Sequence, residues 1–267
     1  MSAIRHDPTT ERVLLRDDRQ GVTTLTLNRP QARNALSRAL MTALKAELDA
    51  VAVEDSVKVV VLAANGAAFC AGHDLREMRA NPGRENYEAL FRQCSEMMTT
   101  IVRLPKPVIA KVHAMATAAG CQLVASCDLA FAAQGAMFAT PGVNIGLFCS
   151  TPMVALSRAV GRKKAMEMLL TGRPIDAEEA TLAGLINRMV PADELDAAVE
   201  DTTRLIAGKS PLALSIGKEA FYRQLEMGLD DAYVYASEVM TRNMLARDAG
   251  EGIDAFLEKR EPVWCGC

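Results

Sequence analysis

Two apolar runs stand out from the polar background of the chain: Val57-Lys58-Val59-Val60-Val61-Leu62-Ala63 and Pro107-Val108-Ile109-Ala110-Lys111-Val112-His113. Their length and β-branched content are those expected of buried strands. Each is followed by a turn of small residues, Phe69-Cys70-Ala71-Gly72-His73-Asp74-Leu75 and Ala116-Thr117-Ala118-Ala119-Gly120-Cys121-Gln122-Leu123, and then by helical spacing. The pattern predicts strand, tight turn and helix, built twice.

Around this pair the remaining elements follow from spacing and punctuation. Residues 13–16 and 22–27 flank Asp17-Asp18-Arg19-Gln20-Gly21 and read as a hairpin. A helix is expected over 37–51, with Leu40, Met41, Leu44, Leu48 and Val51 on one face and Ser37 as N-cap. Asn81-Pro82-Gly83 ends any helix begun at Asp74, and a second amphipathic helix is expected over 87–102. Short strands over 129–132 and 136–138 precede a Pro- and Gly-containing loop over 140–147. Helices over 151–160, 163–170 and 177–183 and a strand over 185–190 come next. From Pro191 the pattern is helical, with apolar stripes through Leu195, Val199 and Ile206 and through Leu229, Tyr233, Met240 and Met244. The aromatic and Met positions on these stripes read as packing or subunit contact.

Strand-to-helix turns matter chemically because the first N–H groups of a helix lack intrahelical acceptors and lie at the positive end of its dipole. Small side chains let a ligand approach that backbone. One N–H from each turn, converging on one oxygen, would stabilise the anion formed when a carbonyl is attacked or enolised. Taken singly, either turn reads as ordinary packing; the pair is harder to read that way.

Composition narrows the setting. The 267 residues are half apolar and carry a net charge of -3 with no basic run, which argues against nucleic acid and anionic membranes as partners. Length favours one α/β core with a helical extension. Residues 1–12 lack the apolar core of a signal peptide and no later run approaches a membrane span, so a cytoplasmic location is expected. Seven scattered cysteines show none of the paired spacings of zinc sites, so no metal is expected. Cys265-Gly266-Cys267 could chelate or oxidise, but reads more simply as a frayed tail.

The chain resembles the crotonase, or enoyl-CoA hydratase/isomerase, superfamily. The resemblance is carried in order by Leu27-Asn28-Arg29-Pro30 with Asn34-Ala35-Leu36, the two turns, Cys127-Asp128-Leu129-Ala130 and Phe256-Leu257-Glu258-Lys259-Arg260-Glu261-Pro262. It implies an α/β fold, a ClpP/crotonase-like spiral of repeated β-β-α units over 1–190, with a C-terminal helical trimerisation region over 191–267. It implies an acyl-CoA thioester as ligand, no cofactor apart from the coenzyme A of the substrate, and a homotrimer or dimer of trimers. His73 and Ala119 would supply the two oxyanion N–H groups. Ala32, Arg33, Ala71, Gly72, Asp74, Gly120 and Asn144 would line the ligand, and Phe256 and Lys259 would reach the coenzyme of a neighbouring subunit. Arg33 and Lys259 read equally well as exposed surface charges.

Hydratases of this family use two glutamates, at positions held here by Gln122 and Gly142. A glutamine orients water without taking its proton, and a glycine offers no side chain. The stretch 138–152 with Gly72-His73-Asp74-Leu75 is similar to a subgroup, the enoyl-CoA hydratase domain-containing proteins of type three, that also lacks them. His73 has an imidazole of suitable ordinary pKa, ~6.5, for acid/base work, although its side chain could point away. Asp74 suits a helix cap, and Cys149 reads as a nucleophile or, more simply, an inert buried thiol. The expected function is an acyl-CoA enzyme of doubtful hydratase activity; the alternative is an acyl-CoA-binding protein without turnover.

Overall fold

The computed structural model describes residues 12–267, so the reading of residues 1–12 as free of a signal-peptide core falls, but for Arg12, outside the described residues. Strands β1 (Leu14–Arg19) and β2 (Val22–Leu27) form the expected antiparallel hairpin. Its turn uses Gln20 and Gly21 at φ 49° and 81°, the conformation a two-residue hairpin loop demands. Helix α1 (Arg38–Val53) is capped by Ser37, whose hydroxyl accepts from the Leu40 N–H at 3.2 Å.

Next come β3 (Val59–Ala64), β4 (Ala68–Cys70), α2 (Leu75–Ala80) and α3 (Arg84–Arg103), with the Asn81-Pro82-Gly83 break between the helices. Strands β5 (Val108–Val112) and β6 (Met115–Thr117) precede α4 (Ala119–Ser126), and β7 (Leu129–Ala133) and β8 (Met137–Ala139) precede a 3-10 turn at Pro141–Ile145. Then follow α5 (Ser150–Ala159), α6 (Arg162–Thr171), β9 (Ile175–Asp176), α7 (Ala177–Ala183) and β10 (Arg188–Val190). The chain finishes with α8 (Leu195–Ala207), α9 (Pro211–Gln224), α10 (Leu229–Met244) and α11 (Arg247–Glu258).

The strands form two sheets, in the orders β1-β2-β3-β5-β7-β10 and β4-β6-β8-β9. Each pair β3/β4, β5/β6 and β7/β8 gives one strand to each sheet and then passes into helix. This is the β-β-α spiral that the resemblance implies. The three-residue strands β4 and β6 overlap the starts of the stretches read from sequence as turns, too short to show a period of their own. The final strand is shorter than expected, because the N–H groups of Leu185 and Ile186 turn back to the Ala180 carbonyl and cap α7 instead of extending the sheet.

Central strands are buried on both faces, which is why they read as unbroken apolar runs. Val60 and Leu62 join the large core, while Val59 and Val61 pack with Ile109, Phe131, Leu195 and Val199. Helix α8 therefore covers the sheet itself, and the helices that stand off the spiral begin with α9. Helix α9 is bolted to the spiral through one buried ion pair: Lys218 Nζ donates to Asp128 Oδ2 at 2.6 Å and to the carbonyls of Ile101 and Lys106 at 3.0 Å. Tyr222 donates its hydroxyl to the other Asp128 oxygen at 2.9 Å.

The C-terminus is not frayed. Asp248, 2% exposed, accepts from the N–H groups of Cys265 and Gly266 and from the Ser210 hydroxyl, and Trp264 Nε1 donates to the Gly208 carbonyl at 2.9 Å. A buried carboxylate needs donors, and the tail supplies them. Cys265 and Cys267 are joined as a disulfide.

Candidate functional site

The two small-residue turns meet. A Cβ added to Gly72 (φ 87°) would lie 2.9 Å from Ala118 Cβ and 3.3 Å from the Ala119 nitrogen, so only a glycine lets the turns approach this closely. A Cβ on Gly120 would collide with the Cys70 carbonyl, which fixes the start of α4 against β4. Ala118 sits at φ 50°, ψ −118°, a strained conformation for a residue with a side chain, of order 1–3 kcal/mol. Its own N–H is taken up by the Ala139 carbonyl at 2.9 Å. The N–H groups of His73 and Ala119 have no partner among the described residues. Two free donors thus stand at adjoining turns, as an oxyanion site requires.

The loop before α1 docks on the first turn. Ala71 donates to the Arg33 carbonyl at 3.0 Å, Leu36 to the Gly72 carbonyl at 2.7 Å and Asp74 to the Leu36 carbonyl at 3.3 Å. Ala32 and Arg33 are thereby brought beside Ala71, Gly72, His73 and Asp74. Asp74 caps α2 through the Arg76 and Glu77 N–H groups and pairs with Arg29 at 3.0 Å. Burial pushes its carboxyl up, but the Arg29 hydrogen bond and the helix donors together hold it below its ordinary value. Glu77 accepts from the Arg38 N–H. Both carboxylates are committed to structure.

Gly142 is walled in. A Cβ there would lie 2.6 Å from the Leu147 carbonyl oxygen and 2.9 Å from Cys149 Sγ, so the loop has closed over the place where a glutamate side chain would start. Asn144 is exposed and lays its amide against Gly172 at the end of α6. Phe256, 82% exposed, and Lys259 sit at the end of α11, which packs on α9 and α10. They are not drawn to the turns of their own chain.

Cys149 is buried, and burial raises its thiol against the opposing pull of the Gly142 N–H. Burial also pushes Cys70, Cys94 and Cys121 up to about 12. These thiols are inert at neutral pH. His113 lies elsewhere, bonded to the Gly66 carbonyl. Among the described residues no cluster of three or more His, Cys, Asp or Glu could hold a metal ion, and no helix is long and apolar enough to cross a membrane.

Among the described residues only three side chains have buried polar atoms without a hydrogen-bond partner: His73 at both ring nitrogens, Gln122 at Oε1 and Thr140 at Oγ1. Native interiors rarely tolerate such atoms, and each asks for a ligand or a role. His73 lies on the first turn and Gln122 in the first turns of α4, and Thr140 follows Ala139, whose carbonyl accepts from the Ala118 N–H. Thr140 has no signal in the sequence beyond its place before Pro141. From Gln122 a cavity of about 850 Å³ opens between α3, α4, α5 and α9, with Met98, Ser126, Val154 and Tyr222 in its wall. That volume suits a small-molecule ligand.

Comparison with known proteins agrees with this architecture. Residues 17–266 match the enoyl-CoA hydratase/isomerase family. The human protein named enoyl-CoA hydratase domain-containing protein 3, mitochondrial, is 48% identical over 91% of this chain and 80% of its own. The crystal structure of an enoyl-CoA hydratase from Mycobacterium smegmatis is similar at a TM-score of 0.93 and 56% identity, covering 95% of this chain and 99% of that one. The human domain-containing protein 3 structure gives a TM-score of 0.92 at 47% identity, over 95% and 100%. The mitochondrial relatives overturn the cytoplasmic expectation. Low charge and the want of a membrane span bear on affinity for membranes, not on compartment.

Proposed function

This chain belongs to the enoyl-CoA hydratase/isomerase family, and from that premise we propose that it is an enzyme acting on an acyl-CoA thioester whose carbonyl oxygen it holds as an enolate-like anion. The observation that carries the reading is the pair of unpartnered N–H groups at His73 and Ala119, brought together by Gly72. Donors fixed before the reaction are worth most where negative charge develops, roughly 2.7–4 kcal/mol each by mutational precedent. The acyl group would enter the cavity beyond Gln122, with the coenzyme near Ala32 and Arg33 and no other cofactor.

Standard hydration, with two carboxylates, has no place in this reading, because Gln122 cannot ionise and Gly142 is closed off. That same loss favours a second reading, an acyl-CoA-binding protein without turnover. The large apolar surface on the C-terminal helices, including Leu229, Tyr233, Met240 and Leu257, each more than half exposed, supports a homotrimer or dimer of trimers.

Butyryl-CoA and its thioether analogue S-butyl-CoA differ by the carbonyl alone. The thioester is expected to bind at least tenfold more tightly, ~1.4 kcal/mol. Equal affinities would remove the oxyanion assignment.

A further inference from the structure

Beyond binding the carbonyl, the site has to move a proton if it turns over, and its obvious carboxylates are spent. Asp74 is held by Arg29 and two helix N–H groups, Glu77 by the Arg38 backbone, and the family's two glutamate positions are Gln122 and Gly142. We propose that the imidazole of His73 is the catalytic base and acid of this site, abstracting the α-proton of a bound acyl-CoA, and that the reaction is enolisation or double-bond isomerisation. This rests on the acyl-CoA reading above.

Three observations place the ring. Its residue carries one of the two turn N–H groups that have no partner among the described residues and that the acyl-CoA reading assigns to the thioester oxygen. The ring packs edge-on against Phe91 of α3, centroids 5.6 Å apart. Phe91 lies one helical turn before Ser95, and Ser95 and Met98 wall the cavity shared with Gln122. The imidazole therefore packs, through Phe91, on the helix whose next turn walls the cavity. Both its nitrogens are buried without a hydrogen-bond partner, a state that asks for a ligand or a role. Burial lowers its pKa, outweighing the nearby Leu36 backbone, so one ring nitrogen keeps its lone pair at neutral pH.

The chemistry balances within the site. A ring nitrogen takes the hydrogen from C2. The C–H electrons form a C1–C2 double bond as the thioester carbonyl becomes an oxyanion on the His73 and Ala119 N–H groups. The imidazolium then returns a proton to C2, which gives exchange once its N–H has traded hydrogen for solvent deuterium, or to C4 of a dienolate, which completes a shift of the double bond. Gln122, in the cavity wall, offers an uncharged hydrogen bond to the acyl group and takes no proton.

Butyryl-CoA incubated with the purified protein in heavy water tests this by mass spectrometry. Deuterium is expected at C2 at least a hundredfold faster than without protein. His73→Gln, which keeps the backbone N–H, should slow exchange at least fiftyfold with the butyryl-CoA Kd changed less than about threefold. If glutamine costs the fold, His73→Ala replaces it, and added imidazole should restore exchange. Butyryl-CoA that binds without exchanging, or His73→Gln exchanging as fast as wild type, would overturn the inference and leave the acyl-CoA reading standing. No binding of any acyl-CoA would overturn both.

Discussion

The Cβ that Gly142 lacks would sit 2.6 Å from the carbonyl oxygen of Leu147, five residues along the same loop. The Leu147 N–H in turn donates to the Gly142 carbonyl at 2.9 Å, so the contact is part of the turn's own hydrogen bonding. Placing a glutamate at Gly142 is therefore expected to overpack the loop rather than to supply a working carboxylate. Gln122→Glu/Gly142→Glu is expected to lose ~1–3 kcal/mol in stability from overpacking and to show no gain in crotonyl-CoA hydration. Urea unfolding and loss of enoyl-thioester absorbance check the two halves, and a large gain in hydration would show that the loop opens freely.

Gly72→Ala forces a Cβ against Ala118 at a position of positive φ, so the turns have to separate. Acyl-CoA affinity is expected to fall at least tenfold while circular dichroism remains that of the wild type. Ala118→Gly is the control, relieving strain at the same contact and leaving binding within about twofold.

Lys218 and Asp128 are 8% and 16% exposed in their side chains and join α9 to the spiral. Burial pulls the Lys218 ammonium down and Asp128 holds it up, so removing the carboxylate strands a buried charge. Asp128→Ala is expected to cost ~3–5 kcal/mol in denaturant unfolding, and adding Lys218→Met should recover part of it. An additive double variant would show that the two are not coupled.

The buried His73 ring also ties stability to pH. Its folded pKa lies below the ordinary ~6.5, so between the two values the unfolded chain binds more protons. Stability is unaffected by this group above pH ~6.5 and falls as the pH drops from there towards the folded value. Depressed carboxylates such as Asp74 act in a lower window, as the pH falls below ~4. Urea midpoints at pH 7.5, 6.5 and 5.5 should decline for wild type and decline less for His73→Gln; equal slopes would contradict the burial argument.

Tyr233 and Met240 stand 69% and 60% exposed on α10. Charging either, as Tyr233→Glu or Met240→Glu, is expected to convert the proposed trimer or dimer of trimers to a monomer of 28.8 kDa by sedimentation, with the single-chain fold kept. A monomeric wild type would dispose of the trimer.

What the sequence determined by itself was local. Strand runs, the Ser37 cap, the Asn81-Pro82-Gly83 break and the helical stripes are legible because period and backbone preference act over a few neighbours. The small-residue stretches were legible as leading into helices for the same reason. Only the tertiary structure decided what depends on residues far apart in the chain. It brought Gly72 against Ala118 and Ala119, set α8 on the sheet, tied the last residues to Asp248 and closed Gly142 under Leu147. Among the described residues it also left both His73 ring nitrogens, Gln122 Oε1 and Thr140 Oγ1 without hydrogen-bond partners. Whether a buried polar atom is satisfied depends on every group that packing brings within about 3 Å of it, and no spacing along a chain encodes that.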